Sequence, residues 1–204
     1  MTGSMLASAH TLGDYAMPAT VKTIQARRSR PSAFALPVKA VLALLGVCLL
    51  AAAAHIAIPF WPVPMTMQSG TVLLLGAAYG TGLAEATLLA YIAAGAVGLP
   101  VFAAGGGLAY LAGPTGGYLL GFLVAASFMG FCASRGLMRG VLGTVAAFLC
   151  GVVIIYAFGL GWLSVLIGTH KAVALGLVPF LPAEATKIAM AILLFRAGQM
   201  LRSR

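Results

Sequence analysis

The run GVLGTVAAFLCGVVIIYAFGLGW (residues 140–162) contains no charged residue. Coiled as an α-helix at 1.5 Å per residue it is about 34 Å long, enough to cross a bilayer core of about 30 Å. The whole chain shares its character. Of 204 residues, 62% are hydrophobic and 7% charged, 26 are glycine, and the acidic residues are Asp14, Glu85 and Glu184 alone. So little charge cannot cover a soluble domain of this size, and the composition predicts an all-α polytopic membrane protein.

Outward from that run, further apolar stretches lie at roughly 38–57, 67–80, 82–99, 117–134 and 180–200, which makes six predicted spans. The second, about 14 residues long, is short for a span and calls for tilt or a shifted boundary. Six spans put both termini on the same side as the connections at 79–83 and 134–140. That side then holds Lys22, Arg27, Arg28, Arg30, Lys39, Arg135, Arg139, Arg196, Arg202 and Arg204, leaving only Lys171 and Lys187 for the other. The positive-inside rule therefore predicts cytoplasmic termini. Residues 1–37, polar and basic, read as a flexible cytoplasmic tail ahead of an uncleaved first helix, with 38–204 as one six-helix domain.

The formal charge of +9 does not point to nucleic acid, because the basic residues sit at the ends of apolar runs rather than on an aromatic-rich patch. Cys48, Cys132 and Cys150 lie within apolar runs at no metal-like spacing and read as small packing residues. The glycines of GGGLAYLAGPTGG (105–117) lack the Gly-Lys-Ser/Thr ending and preceding strand of a nucleotide loop. There is no HExxH and no GxSxG either, so the expectation is a non-enzyme without metal or cofactor.

Three connections fall on the outer side. IPFWPVPMTMQ (58–68) has three prolines that prevent the first helix from continuing and reads as a shaped lid. GLPVFAAGGGLAYLAGPTGG (98–117) is uncharged and too apolar for an ordinary solvated loop; glycine allows close backbone approach, which suits a pocket wall. LSVLIGTHKAVALGLVPFLP (163–182) is expected to hold a short interfacial helix at about 169–177, followed by a last helix entered at Pro182.

That last helix opens with LPAEATKIAM (181–190), where Glu184 and Lys187 are three residues apart and share a face. Two readings stay open: a mutual ion pair that lets both charges tolerate the membrane, or a carboxylate that accepts hydrogen bonds from a solute while the ammonium binds the solute's own carboxylate. Glu85 reads as a charge at a helix start, His55 as a backbone cap, and Gln68 as cap or ligand contact. Trp61, Tyr110, Tyr118 and Trp162 suit an interfacial aromatic belt; Trp61 and Tyr118, beside the special loops, are also candidate ligand contacts. Ala40, Ala43 and Gly46 form a small-residue face on the first helix, suited to packing inside the bundle or to docking on another membrane subunit.

Four ordered motifs, PVPMTMQ (62–68), GLPVF with the glycines that follow (98–107), LAGPTGGYLLGF (111–122) and GLVPFLPAEATK (176–187), make the chain resemble the BioY family, the biotin-binding S components of energy-coupling factor transporters. The resemblance runs from the first helix to the last. It implies a six-helix S component in a bacterial inner membrane that binds biotin from outside and works with a transmembrane T component and two ABC-type ATPases. It further implies that Glu184 meets the ureido ring of biotin and Lys187 its valerate carboxylate. Tyr118 and the Gly105 and Gly106 region would complete the pocket, and the small face with Ala43 and Gly46 would contact the T component. The chain departs from the family pattern in carrying Glu184 where aspartate is usual, an arm one methylene longer. Two other classes fit the composition: an ion-coupled secondary transporter of a small organic acid, and a membrane scaffold.

Overall fold

A computed structural model of the protein describes residues 35–202. The expected tail at 1–37 lies outside the described residues up to position 34, and the remainder opens the first helix. From Lys39 onward the chain forms one compact unit.

Helix α1 spans Ala35–His55, with Pro37 in its first turn where no intrahelical N–H is needed. At its end the ring Nδ1 of His55 lies 2.8 Å from the Ala51 carbonyl oxygen, so the histidine serves a helix terminus. The chain does not continue helically to 57 as expected. Instead β1 (Ala57–Ile58) pairs antiparallel with β2 (Met65–Thr66), and Pro59, Pro62 and Pro64 lie between or beside the two short strands. Proline cannot donate to a ladder, which keeps this hairpin to two residues per strand.

Helix α2 (Gln68–Tyr79) is only 12 residues long, about 18 Å, and α3 (Thr81–Ala96) has 16, about 24 Å. A single glycine, Gly80 at φ 76°, joins them. Every predicted run corresponds to a helix, but four stretches among the described residues are long and apolar enough to cross a membrane: Leu36–His55, Gly116–Ser134, Val141–Ile167 and Thr169–Leu201. The short α2 is flanked instead by other helices of the bundle, and much of it is buried.

Within the glycine-rich connection a short helix, α4 (Leu108–Ala112), forms where only irregular loop was expected. Helix α5 (Gly116–Ser134) follows, then α6 (Val141–Ile167), which runs five residues beyond its predicted end. The short helix expected at about 169–177 is α7 (Thr169–Gly176). A 3₁₀ turn at Val178–Phe180 then leads into α8 (Leu181–Arg202).

Helix α5 packs against α2, α3 and α6. A Cβ on Gly76 of α2 would come within 2.7 Å of the Ala126 oxygen, and one on Gly121 of α5 within 2.9 Å of the Ile155 oxygen. Small residues thus bring backbones together, as needed where lipid supplies no hydrophobic drive between helices. At one end of the bundle, Arg196 of α8 donates to the Arg139 carbonyl (2.7 Å) and Gln199 to the Met138 carbonyl (3.0 Å), fixing α8 to the α5–α6 connection.

Of the small residues on α1, Ala40 is exposed and Gly46 turns into the bundle. Gly46 is buried, and a Cβ there would meet Thr87 Cγ2 at 2.6 Å. This corrects the expectation of Gly46 as a subunit contact, because close approach to α3 has already covered it. Ala43, one turn earlier, is half-buried, and Tyr79 donates to the Leu42 carbonyl beside it at 2.9 Å.

Candidate ligand-binding site

Glu184 and Lys187 occupy the first two turns of α8 and are both buried. They form an ion pair, with Lys187 Nζ 2.7 Å from Glu184 Oε2. The ammonium also donates to the Thr66 carbonyl (3.0 Å) and to Ser69 Oγ (3.1 Å), so its three hydrogens have three acceptors. Thr66 ends the hairpin and Ser69 lies in the first turn of α2, so one side chain joins three elements.

The carboxylate is less complete. Tyr156 of α6 donates to Oε2 at 3.3 Å, whereas Oε1 is buried and has no hydrogen-bond partner among the described residues. An unmet buried acceptor costs about 1–3 kcal/mol, more when charged. If pairing with Lys187 were the whole purpose of Glu184, that oxygen would be a pure liability. Its position beside a cavity gives it another use.

Beside the pair lies a half-open cavity that offers about 50 Å³ to the centres of water-sized spheres, room for a few waters. Thr66, Gln68, Ser69, Tyr156, Glu184 and Lys187 give it a polar wall. Opposite in character, Phe102, Tyr110, Tyr118, Phe122 and Phe180 supply aromatic surface. The lining thus combines a cation, a carboxylate, and hydroxyl and amide groups with flat aromatic surface. Such a space suits a compact solute with N–H donors, an anionic end and an apolar body.

The loops deliver these residues for identifiable reasons. Phe60 packs edge-on against Phe180 (ring centroids 5.8 Å), holding the hairpin over the start of α8. Its neighbour Trp61 then falls on the opposite side, 72% exposed and outside the cavity lining, with Val63 and Pro64 lining it instead. Trp61 as a wall residue is therefore corrected to a surface aromatic. Gly105 and Gly106 do not line the cavity either. Gly105, at φ 115°, bonds back to Phe102, and a Cβ on Gly106 would lie 2.3 Å from the Leu99 oxygen. These two build the tight turn that presents Phe102 and Ala103 to the cavity.

Tyr118 does reach it, with its hydroxyl donating to the Gly176 carbonyl at 3.0 Å, so the ring faces the site while the polar tip anchors α7. Gln68 lies in the polar wall, donating from Nε2 to Tyr91 at 2.8 Å. Tyr156, Ser69 and Phe180 were not singled out from sequence. Tyr156 sits mid-run in 140–162, where nothing in the local pattern separates a wall tyrosine from a packing one. Ser69, next to Gln68 at the end of a motif, was the more findable of the three. Among the described residues no cluster of His, Cys, Asp and Glu has the makings of a metal site.

Comparison with known proteins gives a consistent result. The profile of the BioY family matches residues 24–204. A probable biotin transporter BioY from Pyrococcus horikoshii is 37% identical over 154 residues, covering 75% of this chain and 91% of that protein. The biotin transporter BioY of Thermotoga maritima is 41% identical over 152 residues, covering 72% and 86% respectively. Among solved structures, the S-component for biotin from an ECF-type ABC transporter superposes with a TM-score of 0.70 at 22% identity, over 86% of this chain and 96% of that one. At that identity the likeness concerns the fold.

Proposed function

The chain belongs to the BioY family, and from that premise we propose that it is the substrate-capturing subunit of a biotin uptake transporter. The observation that carries this reading is the buried, unpartnered Oε1 of Glu184 beside the paired Lys187 ammonium in one cavity. Biotin presents N–H donors on its ureido ring and a carboxylate at the end of its valerate chain. Glu184 accepts from the ureido ring. Lys187 holds the valerate carboxylate, exchanging its contact to Ser69 or Thr66 for the ligand. Tyr118, Phe122 and Phe180 cover the apolar ring system.

The extra methylene of Glu184 is compatible with this role because Lys187 and Tyr156 both bind Oε2, so that among the described residues Oε1 has no competing partner. In the cell the protein sits in the bacterial inner membrane, with both termini cytoplasmic and the cavity facing outward. A T component and two ABC-type ATPases supply the energy for import, and this chain performs no hydrolysis. Leu44, Leu45 and Leu49 of α1 are exposed and apolar, and with half-buried Ala43 they offer the T component a surface.

The direct test is calorimetric titration of biotin into the purified, detergent-solubilised chain. One biotin bound per chain supports the assignment. Absence of binding to a monodisperse, helical sample contradicts it.

A further inference from the structure

Tyr91, on α3, is fully buried and is not part of the cavity wall. It nevertheless stands in a chain of hydrogen bonds whose direction is fixed at both ends. At one end the backbone N–H of Gln68 donates to Thr66 Oγ1 (3.3 Å), and the Thr66 hydroxyl donates onward to Gln68 Oε1 (3.2 Å). At the other, the Gln68 amide nitrogen donates to the Tyr91 hydroxyl (2.8 Å), which donates to the Val101 carbonyl (2.9 Å). A backbone N–H only donates and a carbonyl only accepts.

The Tyr91 hydroxyl has a single hydrogen. Spent on Val101, it leaves the oxygen as an acceptor, and only the NH₂ end of Gln68 can then face it. A flipped amide would set two oxygens against each other, or leave the Val101 carbonyl without its tyrosine donor. The geometry points to Tyr91 as a positioning residue for ligand recognition: by fixing which end of the Gln68 amide faces away from the cavity, it leaves the acceptor end, Oε1, on the side of Thr66, which lines the cavity.

The same tyrosine connects this amide to the glycine-rich loop. Val101 precedes Phe102, whose ring meets Tyr91 edge-on at 5.4 Å and stacks on Tyr110 at 4.8 Å. Gly95, one turn beyond Tyr91 on α3, leaves the space this ring occupies, since a Cβ there would come within 2 Å of it. Phe102 and Tyr110 line the cavity; Tyr91 thus holds an aromatic wall and an acceptor in a common frame.

Two acceptors, Glu184 Oε1 and Gln68 Oε1, then select a ligand that offers N–H groups. This inference rests on the biotin reading and adds to it the residue that sets the polarity of the amide.

Its test is a double-mutant cycle on the full chain, with biotin affinity measured for wild type, Tyr91→Phe, Gln68→Ala and the double variant. Tyr91→Phe keeps the ring against Phe102 and removes only the hydroxyl. The expected result is a loss of about tenfold in the wild-type background, the scale of one or two hydrogen bonds, and less than about twofold once Gln68 is alanine. An unchanged affinity in Tyr91→Phe, or an equal loss in both backgrounds, overturns the inference, because Tyr91 would then not act through Gln68.

Wild-type protein that binds no biotin would instead overturn the ligand reading. The hydrogen-bond chain is then decided by amide exchange across residues 99–107 in the unliganded protein. Tyr91→Phe speeds that exchange several-fold if the hydroxyl holds Val101 and leaves it unchanged if it does not.

Discussion

Lys187 Nζ lies 3.0 Å from the Thr66 carbonyl oxygen, so the ammonium that pairs with Glu184 also fastens the proline-rich hairpin to the last helix. A ligand carboxylate that takes up this ammonium competes with Thr66 and Ser69 for its hydrogens. Binding at the site and mobility of the hairpin are thereby linked. Lys187→Met is expected to increase amide exchange across residues 57–66 several-fold in the unliganded protein, while exchange in α5 stays as it was. Equal exchange in the hairpin would mean that the prolines and the Phe60–Phe180 contact hold it without the lysine.

Because both partners are buried, removing one leaves an uncompensated charge. Glu184→Gln and Lys187→Met should each cost about 3–5 kcal/mol of stability, and the double variant less than the sum of the two. Reversible unfolding in mixed micelles measures this. Additive losses would show that the two groups do not interact.

Tyr156 donates to Glu184 over a long 3.3 Å and so contributes at the weak end of hydrogen bonds to charge. Tyr156→Phe should weaken biotin binding by about threefold to tenfold, with the aromatic wall intact. Titration calorimetry on the two proteins makes the comparison.

Trp61 and Phe180 separate a loop aromatic from a wall aromatic. Trp61→Ala should leave affinity within about twofold, because the side chain is exposed and outside the lining. Phe180→Ala should reduce it by at least about tenfold, through lost cavity surface and lost packing on Phe60. The reverse order would restore Trp61 to the site.

Gly76 and Gly82 offer a matched pair for packing. Gly76→Ala sets a methyl against backbone atoms of Ala126 at 2.7 and 2.9 Å, which should cost about 1–3 kcal/mol and lower the Tm. Nothing among the described residues lies within 4 Å of a Cβ at Gly82, so Gly82→Ala should be neutral or add up to about 1 kcal/mol through helix propensity.

Much of this architecture was legible in the sequence because apolar runs and their breakers act locally. Pro182, Gly176 and the uncharged run at 140–162 place α6, α7 and α8 to within a few residues. Glu184 and Lys187 stood out because ionised groups are costly in hydrocarbon. What escaped notice depends on contacts far apart in the chain. The two-residue hairpin exists through pairing of 57–58 with 65–66. Tyr156 meets Glu184 across 28 residues, and Tyr91 meets Gln68 across 23, separations that no local pattern reports. Trp61 and Phe60 have the same neighbourhood in sequence; only the packing of Phe60 on Phe180 decides which of them faces inward.

The polarity of the site is tested most directly by comparing biotin with biotinamide, which keeps the ureido ring but has no carboxylate, on wild type, Glu184→Ala and Lys187→Ala. The expected result is that wild type prefers biotin by about tenfold or more, that Lys187→Ala abolishes this preference, and that Glu184→Ala weakens both ligands by at least about tenfold. Unchanged affinity for both ligands in both variants would contradict the assignment of Glu184 and Lys187 as the two ends of the binding site.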